Sequence, residues 1–244
     1  MKTSILILAL AAGSAFAGTS GKGTLPPPAE TGPKFSGGVD IDYASKYEFR
    51  GYDLGDNLID ADIYGAIDFQ NGLTINLMAW YALLPDDDYQ ELDITPSVAY
   101  DFGPVTLAGV YTRYQYLEGG GENTNEFGLT LTTDPDLLHG LSFGLGSYYD
   151  VDIEGWYFEL GGTYSYKIND MVAVDLKAGV SYVSDWGLDG DGFNHAFVGL
   201  GLPIKLAENV TLKPYVRGVF PIDKLDDTGA DDLCIGGVTL GVTF

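Results

Sequence analysis

A single cysteine, Cys234, excludes an internal disulfide, and it lies too far from the N-terminus to carry a lipid anchor there. Long apolar runs are missing as well. Nothing in the chain approaches the ~20 consecutive apolar residues of a membrane-spanning helix. Basic side chains are scarce, 12 Lys and Arg against 35 Asp and Glu, and the net charge of -23 disfavours nucleic acid and anionic membrane faces as partners. Only two histidines, His139 and His195, are available as a base for an activated nucleophile, and neither sits in a Ser-containing motif known from barrel lipases. No catalytic residues, and no cofactor, are therefore expected.

What the chain does contain begins with Lys2, the apolar residues 5–12 and the small-x-small stretch Ala15-Phe16-Ala17 before Gly18. This is the pattern of a secretory signal peptide over residues 1–17. Residues 18–34 are small, polar and interrupted by Pro26-Pro27-Pro28, which predicts a flexible periplasmic tail. The remainder holds most of the 17 Tyr, 12 Phe and 34 Gly, and its aromatic content argues for a folded domain despite the charge. One domain over residues 35–244 accounts for it.

Within that domain apolar and polar residues alternate in segments of 10 to 13 residues, the period of a strand with two different faces. Ile59, Ala61, Ile63 and Ile67 oppose Asp60, Asp62, Tyr64 and Asp68; Leu73, Ile75 and Leu77 oppose Thr74, Asn76 and Trp80. Leu160 and Leu176 fall on equivalent apolar faces later in the chain. Strands are predicted near 36–48, 58–70, 73–84, 91–102, 105–116, 125–134, 141–150, 155–167, 171–184, 194–205, 210–221 and 232–244. Residues 105–116 lack clean parity, since Leu107 and Val110 fall on opposite faces, and a bulge or a shifted boundary is expected there. Tight turns such as Asn71-Gly72 and Gly103-Pro104 alternate with longer acidic connections such as 51–57, 85–90 and 185–193.

A soluble β-sandwich would share the alternation and the turns. Segments of this length, the alternating connections and the terminal Val242-Thr243-Phe244 favour instead an all-β, transmembrane antiparallel up-and-down barrel of about twelve strands. Its outward face would meet lipid, with Tyr100, Phe102, Tyr164, Tyr166 and Phe244 in an aromatic girdle. Parity then places Asp40, Asp42, Asp60, Asp62, Asp68, Asp93 and Asp101 inside on early strands, and Lys167, Lys177, Lys213 and Arg217 inside on later ones. Two arcs of opposite charge would set a transverse field across a water-filled lumen. The alternative is that these groups pair and plug the interior. The outer loops are acidic, with Asp86-Asp87-Asp88 and Asp189-Gly190-Asp191 among them, and would attract cations or hold a divalent ion, although no complete calcium loop is present.

At the end of the first strand stands Ser45-Lys46-Tyr47-Glu48-Phe49-Arg50-Gly51. This stretch resembles the start of the TorF-like family of outer-membrane porins, where Ser-Asp-Tyr-x-Phe-Arg-Gly precedes a similar polar loop. The family motif residues carried over are Ser45, Tyr47, Phe49, Arg50 and Gly51; Lys46 departs from it. The resemblance implies a porin-like channel. Arg50 would either join the electrostatics of the mouth or merely cap the strand end. The expectation is an outer-membrane channel passing small polar or ionic solutes, surrounded by outer-membrane lipid and inserted by the barrel assembly machinery through the strand that ends at Phe244. The alternative is a structural or surface-binding barrel with a plugged lumen.

Overall fold

The computed structural model describes residues 32–119 and 121–244. The signal peptide and nearly all of the tail predicted over residues 18–34 lie outside the described residues. Alternation produces strands wherever it occurs: β1 (Lys34–Phe49), β2 (Tyr52–Asp68), β3 (Leu73–Leu84), β4 (Tyr89–Asp101), β5 (Val105–Glu118), β6 (Thr124–Thr133), β7 (Leu141–Asp150), β8 (Gly155–Lys167), β9 (Ala173–Ser184), β10 (Asp191–Gly201), β11 (Ile204–Ala207), β12 (Val210–Pro221) and β13 (Leu233–Thr243). Apart from β10 and β11, sequence neighbours pair antiparallel; β1 pairs with β13, and both β10 and β11 pair with β12. The sheet thereby closes on itself and leaves no edge, the condition for placing strands in hydrocarbon.

β10 and β11 are one strand of the wall, interrupted because Pro203 has no N–H to offer the ladder. The register with β12 is the same on both sides of the break, Gly201 facing Tyr215 and Ile204 facing Leu212. The wall therefore has twelve strands, as the alternation predicts.

Side chains sort by parity as a lipid-facing cylinder requires. Ile63, Leu77, Leu160 and Leu176 are 57, 56, 52 and 49% exposed, although each sits in the middle of a strand. Aromatics flank this aliphatic band: Phe35, Tyr100, Phe102, Phe143, Tyr166 and Phe244 at the end where both termini lie, and Tyr43, Tyr81, Phe127, Trp156, Phe193 and Phe220 at the other. Replacing Ile63 or Leu176 by Lys is expected to destabilise the barrel by roughly 2–4 kcal/mol, because the charge would meet acyl chains. Reversible unfolding in lipid vesicles measures it; a change near zero would mean that these positions do not face the bilayer.

Two expectations need correction. The ladder between β4 and β5 keeps one register from Glu91–Tyr116 to Asp101–Thr106, with pairing interrupted only at Thr95 and Pro96, so there is no bulge in the middle of β5; Val110 simply faces inward. The connection predicted over residues 51–57 is not a loop. β2 begins at Tyr52, and only Arg50-Gly51 separates it from β1. Positive φ at both residues, 54° and 90°, is what a two-residue hairpin turn of the primed type demands. The long outer connection of that hairpin is thus replaced by two extended strands.

Candidate functional site: the barrel interior

The acidic ladder is built by β1 and β2. Their register sets Asp40 opposite Asp62 and Asp42 opposite Asp60, all four pointing inward and all buried. Like charges placed directly opposite on a sheet repel. Two of the four are relieved by neutral donors: Asp42 accepts from the Tyr215 hydroxyl at 2.8 Å and from the Thr239 hydroxyl, and Asp60 accepts from the Trp80 indole at 3.0 Å. Asp93 lies further round the wall on β4, beside Glu91.

The cations come from strands at the other end of the chain. Lys177 on β9 and Arg217 on β12 both stand opposite Gly199 of β10, so two basic residues flank a position without a side chain. Lys213 pairs in register with Thr239, which pairs with Asp42. Closure brings β12 within one strand of β1, so the basic arc adjoins the acidic one rather than facing it squarely across the lumen. The basic arc holds one carboxylate of its own, Asp175 of β9, buried opposite Gly201 and accepting from the Ser165 hydroxyl at 2.7 Å, and β5 to β8 carry mainly Thr, Ser, Gly and Tyr inward, with Glu126 and Glu159 among them.

Three of the predicted lumen residues do something else. Asp68 accepts the Gln70 N–H at 2.7 Å and Asp101 the Gly103 N–H at 2.6 Å, each bracing the turn that follows its strand. Lys167 ends β8 and pairs with Asp170 across the next turn at 2.8 Å; that hydrogen bond holds the exposed Asp170 carboxyl below its usual range. All three belong to the rim near the termini. Their parity is inward, but strand-end position decides what they contact.

The outer half of the interior is filled. The β1–β2 hairpin bends across it, and a bulge at the extra residue Leu54, between the Tyr47–Gly55 and Glu48–Asp53 pairs, supplies the bend. Lys46, the residue that departs from the resemblance, clamps this bend by pairing with Asp53 at 2.7 Å and Asp56 at 2.9 Å. Tyr47 packs among Leu58, Met78, Trp80, Leu84 and Val219, and its hydroxyl donates to Glu91 at 2.7 Å. Tyr52 packs on Tyr148, Tyr157, Val183 and Trp186, and Phe49 packs against both groups.

At the tip, Arg50 makes a two-pronged ion pair with Glu126 of β6, at 2.7 and 2.8 Å, with side-chain exposures of only 6% and 2%. Its guanidinium carbon lies 4.2 Å from the Tyr157 ring centre, 4.8 Å from Trp186, 5.0 Å from Phe49 and 5.3 Å from Tyr148. Glu48, two residues earlier, pairs with Arg217 of β12 at 2.9 Å and accepts the Gly51 N–H at 2.6 Å. Asn194 donates to the Arg50 carbonyl at 2.7 Å. The wall runs β6, β7, β8, β9, β10, β12, so these two ion pairs anchor the hairpin to nearly opposite sides. Gly51 is required at the contact: a Cβ there would stand 2.6 Å from Leu225 and 2.9 Å from the His195 ring. Arg50 is thus far more than a strand-end cap. Ser45, by contrast, only accepts the Gly236 N–H at 3.0 Å on the neighbouring strand.

His195 lies directly beneath the tip, fully buried, with its Nδ1 at 2.8 Å from the Ser181 hydroxyl. The same hydroxyl receives the His195 backbone N–H at 3.1 Å. Ser181 therefore braces the irregularity between Phe193 and Ala196 in the β9–β10 ladder. His139 ends a short 3-10 turn at the surface with φ 54°. Among the described residues no group of three or more His, Cys, Asp or Glu is arranged to hold a metal ion.

Glu48, Glu91 and Glu126 are missing from the lumen residues predicted from parity, and each stands within three residues of a strand end. Glu91 lies two residues before Asp93 and shares its inward parity, which was the available signal.

No family model matches this chain, and no curated protein does. Solved structures do. A KdgM porin superposes with a TM-score of 0.55 at 12% identity, over 85% of this chain and 99% of that one. A NanC porin gives 0.52 at 11%, over 84% and 98%. An outer membrane channel from Pseudomonas putida F1 gives 0.53 at 9%, over 90% and 100%. Such identities establish likeness of fold alone, and with the closed wall and its apolar band they make this chain an outer-membrane β-barrel.

Proposed function

We propose that the barrel is a porin-like channel for passive diffusion of small polar or ionic solutes, closed at its outer mouth in the conformation described. One observation carries this reading: four carboxylates are kept as like-charged cross-strand pairs on one arc of the interior, while Lys177, Lys213 and Arg217 occupy the adjoining arc. A plug whose only task is to fill a cylinder gains nothing from that arrangement, which costs stability. Charged arcs suit a wall that meets hydrated ions. The segment 45–51, on which the TorF-like resemblance rests, builds the closure and fits the same reading. Lipid around the aliphatic band and insertion through the strand ending at Phe244 belong to it too.

The second reading, a structural or surface-binding barrel with a permanently plugged lumen, is favoured by the hairpin itself. Planar-bilayer recording separates the two. The folded protein is expected to be mostly silent, with rare openings of uniform conductance. Complete silence of the wild type and of every hairpin variant would end the channel reading.

A further inference from the structure

The closure is made by a positive charge seated in an aromatic and acidic niche, and the niche belongs to the wall. Glu126 comes from β6, Tyr114 from β5, Tyr148 from β7 and Tyr157 from β8, with Trp186 from the connection between β9 and β10. Tyr114 donates to Glu126 at 3.1 Å and fixes the carboxylate in place. Among the described residues, Phe49 is the ring over the guanidinium that travels with the hairpin. If the hairpin withdrew, Glu126 with the rings of Tyr114, Tyr148, Tyr157 and Trp186 would remain on the wall.

We propose that this niche is a binding site for small organic cations of the guanidinium class, and that Arg50 is its tethered occupant. The solute that displaces Arg50 is then the class the barrel admits; this second step rests on the channel reading. Three observations support the assignment. The carboxylate meets the guanidinium with both oxygens, the geometry of planar fork recognition, and rings lie over the cation within 5.3 Å. An apolar side chain would close an aromatic pocket without desolvating an ion pair, so a hairpin serving only as a stopper has no use for Arg there. The occupant is also held in a backbone conformation unfavourable to it: Arg50 has φ 54°, where Asn, Asp or Gly are at ease.

The interior beyond the niche is acidic in sequence. Glu126 is the third residue from the outer end of β6, Asp93 the fifth of β4, and Asp60 and Asp62 the ninth and eleventh of β2. Tyr114 links the first two, bonded to Glu126 and paired in register with Asp93. Trp80 links the next two, paired with Asp93 and bonded to Asp60. A cation leaving the niche therefore meets carboxylates at successive depths.

The test uses Arg50→Ala in detergent micelles, titrated with L-arginine amide against sodium chloride of equal ionic strength, with Trp186 fluorescence as the signal and Trp186→Phe to assign it. A saturable response in Arg50→Ala, weaker by tenfold or more in the wild type and lost in Arg50→Ala/Glu126→Gln, is expected. Absence of saturation, or a response unaffected by Glu126→Gln, would overturn the site. Should Arg50→Ala not fold, judged by the gel mobility of unheated samples, Arg50→Met retains the packing of the stem and takes its place. Bilayer current tests the second step separately. Saturable binding with silence in all variants would remove the channel reading and leave the niche standing, whereas current that arginine amide alters no more than sodium chloride does would overturn the assignment of the admitted solute and leave the channel.

Discussion

Arg50→Ala is expected to turn a mostly silent barrel into one that conducts. The variant leaves Glu126 buried without its partner, and breaking a buried pair in this way costs about 3–5 kcal/mol. Because the pair joins hairpin to wall, that cost falls on the closed arrangement. In an arrangement where the hairpin has moved, Glu126 regains water. The equilibrium between the two should shift by about 10²- to 4 × 10³-fold toward the open one. Glu126→Ala should act in the same direction, and the double variant should fall short of the sum of the two singles, since each alone removes the same interaction. Open probability in planar bilayers is the measurement. Unchanged openings in folded Arg50→Ala would mean that Glu48–Arg217, Tyr47–Glu91 and the apolar packing hold the tip without help from the buried pair.

The second large effect concerns the arcs. Changing Lys177 and Lys213 together to Glu should raise the cation-to-anion permeability ratio severalfold, because it removes the positive arc beside Asp40, Asp42, Asp60 and Asp62 and extends the negative one. Arg217 is kept in this variant, since it also holds Glu48 of the hairpin. Combining the change with Arg50→Ala provides enough current for the reversal potential to be read under a salt gradient. A reversal potential identical to that of Arg50→Ala alone would place both lysines outside the path of ions. The folded state of the variant needs checking first, since four acidic neighbours already repel one another.

Much of the wall was legible before any coordinates. Every second residue in a lipid-facing strand has one solvent and its neighbour another, so the period of two survives in the sequence even where individual residues vary. That is why Ile63, Leu77, Leu160 and Leu176 fell on the outside, and why Asp40, Asp42, Asp60 and Asp62 fell inside. The hairpin was not legible for a related reason. Once β1 and β2 leave the wall and enter the interior, both of their faces meet protein, so Tyr47 and Glu48 are both buried although adjacent, and alternation ends. A segment with Asp53, Asp56 and Asn57 then reads as a polar loop, although Lys46 neutralises the two carboxylates within the hairpin itself. Depth was the other missing coordinate. Parity assigns a side, and cannot separate Asp60 in mid-strand from Asp68 or Asp101 at a turn.

The seam between β1 and β13 has a consequence for how the molecule comes into being. Asp42 reaches Thr239 and Tyr215, partners 197 and 173 residues away, and Gly51 lies against His195 and Leu225, 144 (195 − 51) and 174 (225 − 51) residues away. Among the described residues this hairpin is the first to be synthesised, and its contacts with the strands at the other end of the chain, being of such range, form slowly. Pairing β13 with β1 closes the cylinder and brings Arg217 and Leu225 to the hairpin, so the barrier is completed only when the wall is.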